Sequence, residues 1–298
     1  MHPVGRVALG AAALVGSGAA TLGYARWEAG AYTLRHFDVP VLAPGSAPLR
    51  VLHVSDLHIR ADDARKAEWI RGLADLDPHL VVNTGDTISS VDAQERILSA
   101  LEPLAAFPAV FVPGNNDYHQ PSRPRWSSYL SNKPRRSSGA PMPWAPLAAA
   151  MVEQGWTDLT HRRTVLLADG RRVFLAGLDD PHLRRARYGR IAGPADATAD
   201  VRLGVMHSPE PWLLQRFAAD GHDLVLAGHT HGGQLRIPFG PALITNCGID
   251  RARARWLHRW DDHMWFHICA GLGTNPYTPI RFACRPEASL LTLVARPG

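Results

Sequence analysis

Cysteine is scarce in this chain. Cys247, Cys269 and Cys284 are the only three in 298 residues. None stands in Cys-x-x-Cys spacing with another, which excludes a zinc ribbon and a dithiol redox pair, and at most one disulfide could form. Acidic residues are outnumbered by basic ones, 27 against 32, for a formal charge of +5. That excess suits an anionic substrate or a membrane surface, but it is too small and too dispersed for a nucleic-acid binder. No internal repeat of solenoid period is present. What remains is an ordinary globular composition, 46% apolar and 20% charged. It is enough for a sizeable core, in one large domain or two smaller ones.

The N-terminal residues read differently from the rest. Arg6 precedes an uncharged run of mainly Ala, Gly, Leu and Val over 7–25, closed by Arg26-Trp27-Glu28. Small residues at 17–20 would fit the cleavage site of a secretory signal. The run is also near the lower limit of about 17 residues for a spanning helix. A buried globular helix fits less well, because the run has no polar face. The reading favoured is an uncleaved membrane anchor or signal-anchor over 1–26. Arg6 on the inner side would place the main domain outside the cytoplasm, although Arg26 on the other flank argues against that. Residues 27–48 read as a linker ending in Pro44-Gly45-Ser46-Ala47-Pro48, and 49–298 as the main domain.

That domain opens with strands at 49–54, 79–83 and 109–112, each running into a polar turn. Apolar residues at helical spacing mark 64–76, where Trp69 reads as core, and 91–104 is a second helix. Strand and helix alternating in this way predict a parallel sheet with crossover helices. In such sheets ligands gather beyond the carboxyl ends of the strands. Residues 120–146 break the rhythm with Pro, Ser and the basic residues Arg123, Arg125, Lys133, Arg135 and Arg136 beside Trp126, Tyr129 and Trp144. So long an insert is either solvated or a basic lid. After a helix at 145–153, strands at 164–168 and 172–177 flank Asp169-Gly170 as a hairpin, and the second runs into Asp179-Asp180-Pro181. A strand at 202–206, a helix at 211–219 and strands at 223–227, 265–270 and 289–294 complete the chain.

The apolar strand 223–227 delivers His229 and His231 into a glycine-rich turn. In an extended segment, residues i and i+2 project to the same side, so the pair could aim at one point. Asp56 and His58 repeat that spacing after the first strand. Collected in order, the polar residues at strand ends are Asp56, His58, Asp86, Asn115, His207, His229 and His231. Carboxylates and imidazoles together suit divalent Zn, Mn, Fe or Ni. Two such ions about 3.5–4 Å apart clamp the attacking and leaving oxygens of a phosphoryl displacement, and a bound water serves as nucleophile.

With these blocks in place the sequence resembles the calcineurin-like metallophosphoesterase superfamily. The matching blocks are Asp56-Leu57-His58, Gly85-Asp86, Gly114-Asn115-Asn116-Asp117, Met206-His207 and Gly228-His229-Thr230-His231. They occur in the family's order over roughly 49–294. The Gly228–Gln234 variant and the apolar N-terminus are similar to its membrane-associated bacterial branch. The resemblance implies a four-layer α/β/β/α sandwich of two mixed sheets flanked by helices. It implies two divalent metal ions, one on Asp56, His58 and His231, the other on Asn115, His207 and His229, with Asp86 bridging them.

One position departs from the family pattern. Where a histidine oriented by the following acid, here Asp117, normally contacts the phosphate, this chain has Asn116. Asparagine donates hydrogen bonds but transfers no proton at ordinary pH. His119 is a candidate replacement. A leaving group of low pKa, such as a phosphate in a pyrophosphate bond, would need an acid least. The expectation is a phosphodiesterase or pyrophosphohydrolase acting on a phosphorylated small molecule or a lipid-linked phosphate, held at the membrane by its N-terminal segment. A non-catalytic metal-binding scaffold of the same fold is the alternative. The basic residues cluster in one loop rather than a stripe, so no nucleic-acid partner is expected.

Overall fold

The computed structural model describes residues 18–121 and 139–297. The basic residues of the insert from Arg123 to Arg136, with Trp126 and Tyr129, lie outside the described residues, as does most of the apolar run over 7–25.

Among the described residues, twelve strands form two six-stranded sheets. The first has the order β1 (Thr33–Leu42), β12 (Glu287–Ala295), β2 (Leu49–Val54), β3 (Leu80–Asn83), β4 (Ala109–Phe111), β5 (Thr157–Asp158). Within it β2 to β5 run parallel, and β12 is antiparallel to β2 and parallel to β1. The second has the order β10 (Trp256–Arg259), β11 (Trp265–Ile268), β9 (Leu224–Ala227), β8 (Val201–Val205), β7 (Arg171–Gly177), β6 (Arg162–Ala168). Its four central strands are parallel and both edges antiparallel.

Central parallel strands are covered on both faces, so they read as continuous apolar runs. Leu80–Asn83 and Leu224–Ala227 are buried throughout. Val51, Leu80, Val82 and Val110 of one sheet meet Leu175, Leu203, Val205 and Leu226 of the other in the layer between them. A helix over 18–28 (α1) precedes β1. Helices α2 (Ala64–Arg71), α3 (Gln94–Leu101) and α5 (Trp144–Glu153) cover the outside of the first sheet. The helix α6 (Pro211–Ala219), with proline in its first turn, covers the second. Each aliphatic side chain fully buried in these layers contributes about 1.5–3 kcal/mol. The architecture is the four-layer sandwich expected.

Two expectations change, for 27–48 and for Trp144. The stretch 27–48 is no free linker, because β1 forms the edge of the first sheet and buries Val39, Val41 and Leu42. Pro40 is tolerated there because an edge strand pairs on one side only. Helix α1 is held by the domain: Ala25 and Glu28 are buried. The Glu28 carboxylate accepts the backbone N–H groups of Ala283 and Cys284 at 2.9 and 3.0 Å. Trp144, read with the insert, is a core residue whose ring meets Phe111 edge-on at 5.7 Å. All three cysteines are free and buried.

Candidate metal centre

The turns after β2, β3, β8 and β9 converge where the carboxyl ends of the two sheets face each other. They interlock through backbone hydrogen bonds: Asp56 N–H donates to Gly85 O at 2.8 Å and His58 N–H to Asp86 O at 3.0 Å. A short helix, α4 (Asn115–Tyr118), caps the group. Two glycines let these loops touch. A Cβ at Gly114 would run into the Asp86 carboxylate, and one at Gly228 into Ser55 Oγ and Asp56 Oδ2.

The reading of His229 and His231 as an extended pair does not hold. Both adopt left-handed backbone, at φ +68° and +50°, as do Asp56 (+47°), His58 (+43°) and Asp86 (+54°). Left-handed backbone costs a non-glycine residue about 1–2 kcal/mol. Five of the seven candidate ligands carry that cost, offset by the interlocked turns around them, and each is aimed where an extended strand could not aim it.

Asp56, His58, Asp86 and His231 each present an atom within 4.8 Å of the others. His58 Nε2 lies 3.3 Å from His231 Nε2 and 3.6 Å from Asp86 Oδ2. His231 Nε2 is 3.4 Å from Asp56 Oδ1. On the other side, His207 Nε2 is 3.4 Å from the same Asp86 Oδ2. His229 Nδ1 is 3.3 Å from His207 Nε2 and 3.1 Å from Asn115 Oδ1. The structure therefore brings all seven sequence-derived candidates together, as two clusters sharing one carboxylate oxygen.

The outward nitrogens are held by the protein. His207 Nδ1–H donates to Thr84 O at 2.7 Å, His231 Nδ1–H to Gly273 O at 3.3 Å and His229 Nε2–H to Asn246 O at 3.3 Å. In a neutral ring, a proton fixed on the outer nitrogen leaves the inner one as a bare lone pair, the arrangement a metal ligand needs. Asp56 Oδ2 accepts from Ser55 Oγ and His229 N, whereas its buried Oδ1 accepts no hydrogen bond. A buried carboxylate oxygen left in this state wants a cation. Imidazole and carboxylate donors fit divalent transition metals.

Burial pushes the His58 imidazole down to about 4, and lowers His231 and, further, His229. His207 differs. Burial works against its charge, but the Asp86 carboxylate outweighs burial and holds it up at about 10. Asp86 is held far below the usual carboxylate range: burial opposes its charge, and His207 and His58 overcome that opposition.

The three residues read as possible catalytic groups are placed differently from one another. Asn116 Nδ2 donates to Asp86 Oδ2 at 2.6 Å and its backbone N–H to Oδ1 at 2.7 Å. Asp117 is fully buried and accepts four backbone N–H groups, from Asp86, Thr87, Ile88 and Gly114, at 2.7–3.2 Å. It positions the turns instead of orienting residue 116. Burial, then the Asp86 charge, pushes its carboxyl up to about 7 against the pull of those donors. His119 uses its backbone to bond Asn115 O and to bridge Pro141. Among the described residues its ring makes no hydrogen bond to the seven.

Three residues at the site were not singled out from the sequence. The His182 ring lies 4.6 Å from that of His229. Asp180 is buried, which pushes its carboxyl up to about 7 against the pull of His207. Both follow β7, and their place at a strand end was the available signal. The third, Arg281, is fully buried. Its guanidinium donates to the carbonyls of Ala270, Gly271, Gly273, His231 and Cys284, tying His231 to the 270–273 turn. Nothing in its local sequence marked it.

Residues 49–233 match the profile of the calcineurin-like phosphoesterases. The uncharacterized protein YpbG of Bacillus subtilis is 29% identical over 252 residues, covering 84% of this chain and 82% of its own. The phosphodiesterase YaeI of Escherichia coli is 26% identical over 282 residues, covering 90% of each chain. The UDP-2,3-diacylglucosamine pyrophosphatase LpxG of Chlamydia trachomatis is 24% identical over 291 residues, covering 84% of each.

Proposed function

The chain belongs to the calcineurin-like phosphoesterase family, hydrolases of phosphoester bonds, and from that premise we propose that it is a dinuclear-metal phosphodiesterase or pyrophosphohydrolase acting on a membrane-proximal or lipid-linked phosphate. The observation that carries the reading is Asp86 Oδ2, which faces His58 Nε2 at 3.6 Å and His207 Nε2 at 3.4 Å. Asp56, His58 and His231 would hold one ion and Asn115, His207 and His229 the other, with Asp86 shared. When bound, the ions supply Lewis acidity and a water deprotonated near neutral pH.

The protein's own part is orientation and hydrogen bonding. Asp117 and Arg281 fix the turns that carry the ligands. Asn116 offers an amide donor at the shared carboxylate but no transferable proton. That limits the chemistry to leaving oxygens of low pKa, as in a pyrophosphate bond or an activated diester. The names of YaeI and LpxG agree with this class.

The N-terminal segment is proposed as the membrane anchor, with the hydrolase domain outside the cytoplasm if Arg6 stays within. Among the described residues no helix is long and apolar enough to cross a membrane. One observation favours a second reading, a metal-binding scaffold without activity: Asn116 in place of histidine. Purified full-length chain loaded with Mn²⁺ decides between them. Hydrolysis of bis-p-nitrophenyl phosphate or a UDP-diacylglucosamine-type diphosphate supports the enzyme. Bound metal with no turnover of either supports the scaffold.

A further inference from the structure

Among the described residues, seven of the eleven exposed large apolar side chains are Leu22, Tyr24, Trp27, Ile237, Phe239, Leu243 and Tyr277. They come from three segments, α1 and the loops 235–243 and 274–282, and those segments are joined to each other. Arg281 N–H donates to Ala25 O at 3.0 Å and Arg26 Nη1 to Pro279 O at 2.9 Å. The Tyr24 ring meets Phe282 edge-on at 5.8 Å. Phe282 in turn pairs with the other loop, donating its N–H to Gln234 O and accepting from Arg236 N–H, both at 3.0 Å. The result is one apolar collar, with Phe239 fully exposed at the tip of its loop.

The collar adjoins the metal centre. Gln234 N–H donates to His231 O at 2.9 Å, and the Gln234 side chain holds Thr278 O and Ile280 O at 2.7 and 3.0 Å. His231 is also the most exposed of the seven candidate ligands, its side chain 13% accessible. The segments that form this face are poor in acids. No Asp or Glu occurs in 1–27, 224–249 or 263–286. The acids bounding those stretches are Glu28, buried on the backbone of Ala283 and Cys284, the buried Asp223 and Glu287, and the exposed Asp250 and Asp262, of which Asp250 accepts Ala252 N–H. Arg26, Arg251 and Arg285 are exposed at the rim.

We infer that this collar docks on a lipid bilayer with anionic headgroups, Phe239 and Ile237 entering the interface, so that the His231 side of the site opens at headgroup level. Two features select a bilayer as the occupant. The chain leading into the collar is the uncharged apolar run over 7–25, and the rim carries three exposed arginines against the exposed Asp250, a basic excess that suits an anionic leaflet. Aromatic and aliphatic side chains with arginine beside them are the composition of an interfacial surface. The inference deepens the proposed function, on which it rests for the identity of the substrate.

The test reads the collar locally in the full-length chain. Phe239→Cys is labelled with an environment-sensitive nitrobenzoxadiazole, the three native cysteines being buried. Leu167→Cys, exposed on β6, is the control. With phosphatidylcholine–phosphatidylglycerol vesicles the label at 239 shifts to the blue and brightens, more than with phosphatidylcholine alone, and the label at 167 does not change. A silent label at 239 on vesicle-bound protein overturns the inference. So does a shift that follows protein concentration without lipid, which would assign the collar to a second copy of the chain. In parallel, Ile237→Ser/Phe239→Ser loses about tenfold of its turnover of a vesicle-embedded lipid diphosphate, and keeps that of soluble bis-p-nitrophenyl phosphate. Equal loss on both substrates contradicts docking. Because the fluorescence needs no turnover, failure of the enzyme reading and failure of the docking reading are told apart.

Discussion

Asn116 is bonded twice to Asp86, through its side-chain amide at 2.6 Å to Oδ2 and through its backbone at 2.7 Å to Oδ1. The residue that in the resembling family supplies a proton is here a neutral donor laid against the carboxylate shared by both ligand clusters. Asn116→His should therefore change selectivity more than overall competence. General acid catalysis is worth about 10²–10⁴-fold, and a good leaving group needs little of it. The expected outcome is a gain in kcat/KM for phenyl phosphodiesters, with p-nitrophenyl diesters little changed. Equal gains on both would show that the histidine acts by other means. His119→Ala should leave both substrates and their pH profiles unchanged.

Asp117 satisfies four backbone donors with two oxygens. In Asp117→Asn one oxygen becomes an NH₂ group facing backbone N–H groups, and buried donors lose their acceptor. The expected loss is about 3 kcal/mol or more of folding free energy, read from urea unfolding. Metal content by elemental analysis should fall with it. A variant as stable as the parent would show that the four hydrogen bonds do not hold these turns.

Arg281 contributes through carbonyls rather than through an ion pair. Lysine keeps the charge but has three donors on one nitrogen and lacks the planar fork. Arg281→Lys should fold, yet release the 270–273 turn and the His231 carbonyl. The measurable outcome is weaker metal binding, by about 10- to 100-fold as for other groups behind the ligands. Unchanged affinity would remove Arg281 from the account.

A buried histidine pair joins the sheets away from the ligands. His53 Nδ1 and His267 Nδ1 are 2.9 Å apart, and both rings are fully buried. Burial pushes His53 down to about 3, and lowers His267 well below its ordinary range. With folded values below the unfolded value near 6.5, their stabilisation is complete above about pH 6.5. It fades as the pH falls toward 3, because only the unfolded chain takes up the protons. Between pH 7.5 and 5.5 each histidine should cost about 1.4 kcal/mol. His53→Leu/His267→Leu should flatten that pH dependence of the urea midpoint by the corresponding amount. An undiminished slope would place the effect elsewhere.

The sequence was most informative where pattern and chemistry coincided. Pro211–Ala219 carries its own start signal and helical spacing, and the structure reproduces its bounds. The strands Leu49–Val54 and Leu80–Asn83 were legible because central parallel strands are mostly apolar, although Arg50 and His53 interrupt the first. β1 was hidden by Pro40 and by the Pro44-Gly45 turn, which look like linker until the edge position removes the penalty. β5, two residues long, has no pattern to read. The seven candidate ligands were legible as strand-end residues, but their backbone was not. The left-handed turns at Asp56, His58, Asp86, His229 and His231 depend on contacts between loops far apart in the chain. His182 and Arg281 were missed for the same reason, since each acquires its role only when a distant loop folds against it.

The central claim is that Asp86 joins two metal positions into one hydrolytic site. Metal stoichiometry and turnover of bis-p-nitrophenyl phosphate, measured together on the parent chain and on Asp86→Asn, test it most directly. The account predicts two ions per parent chain with turnover abolished by chelation. In Asp86→Asn it predicts loss of at least one ion and of turnover by about 100-fold or more. A variant that keeps both ions and its turnover, or a parent that binds two ions and hydrolyses nothing, would contradict it.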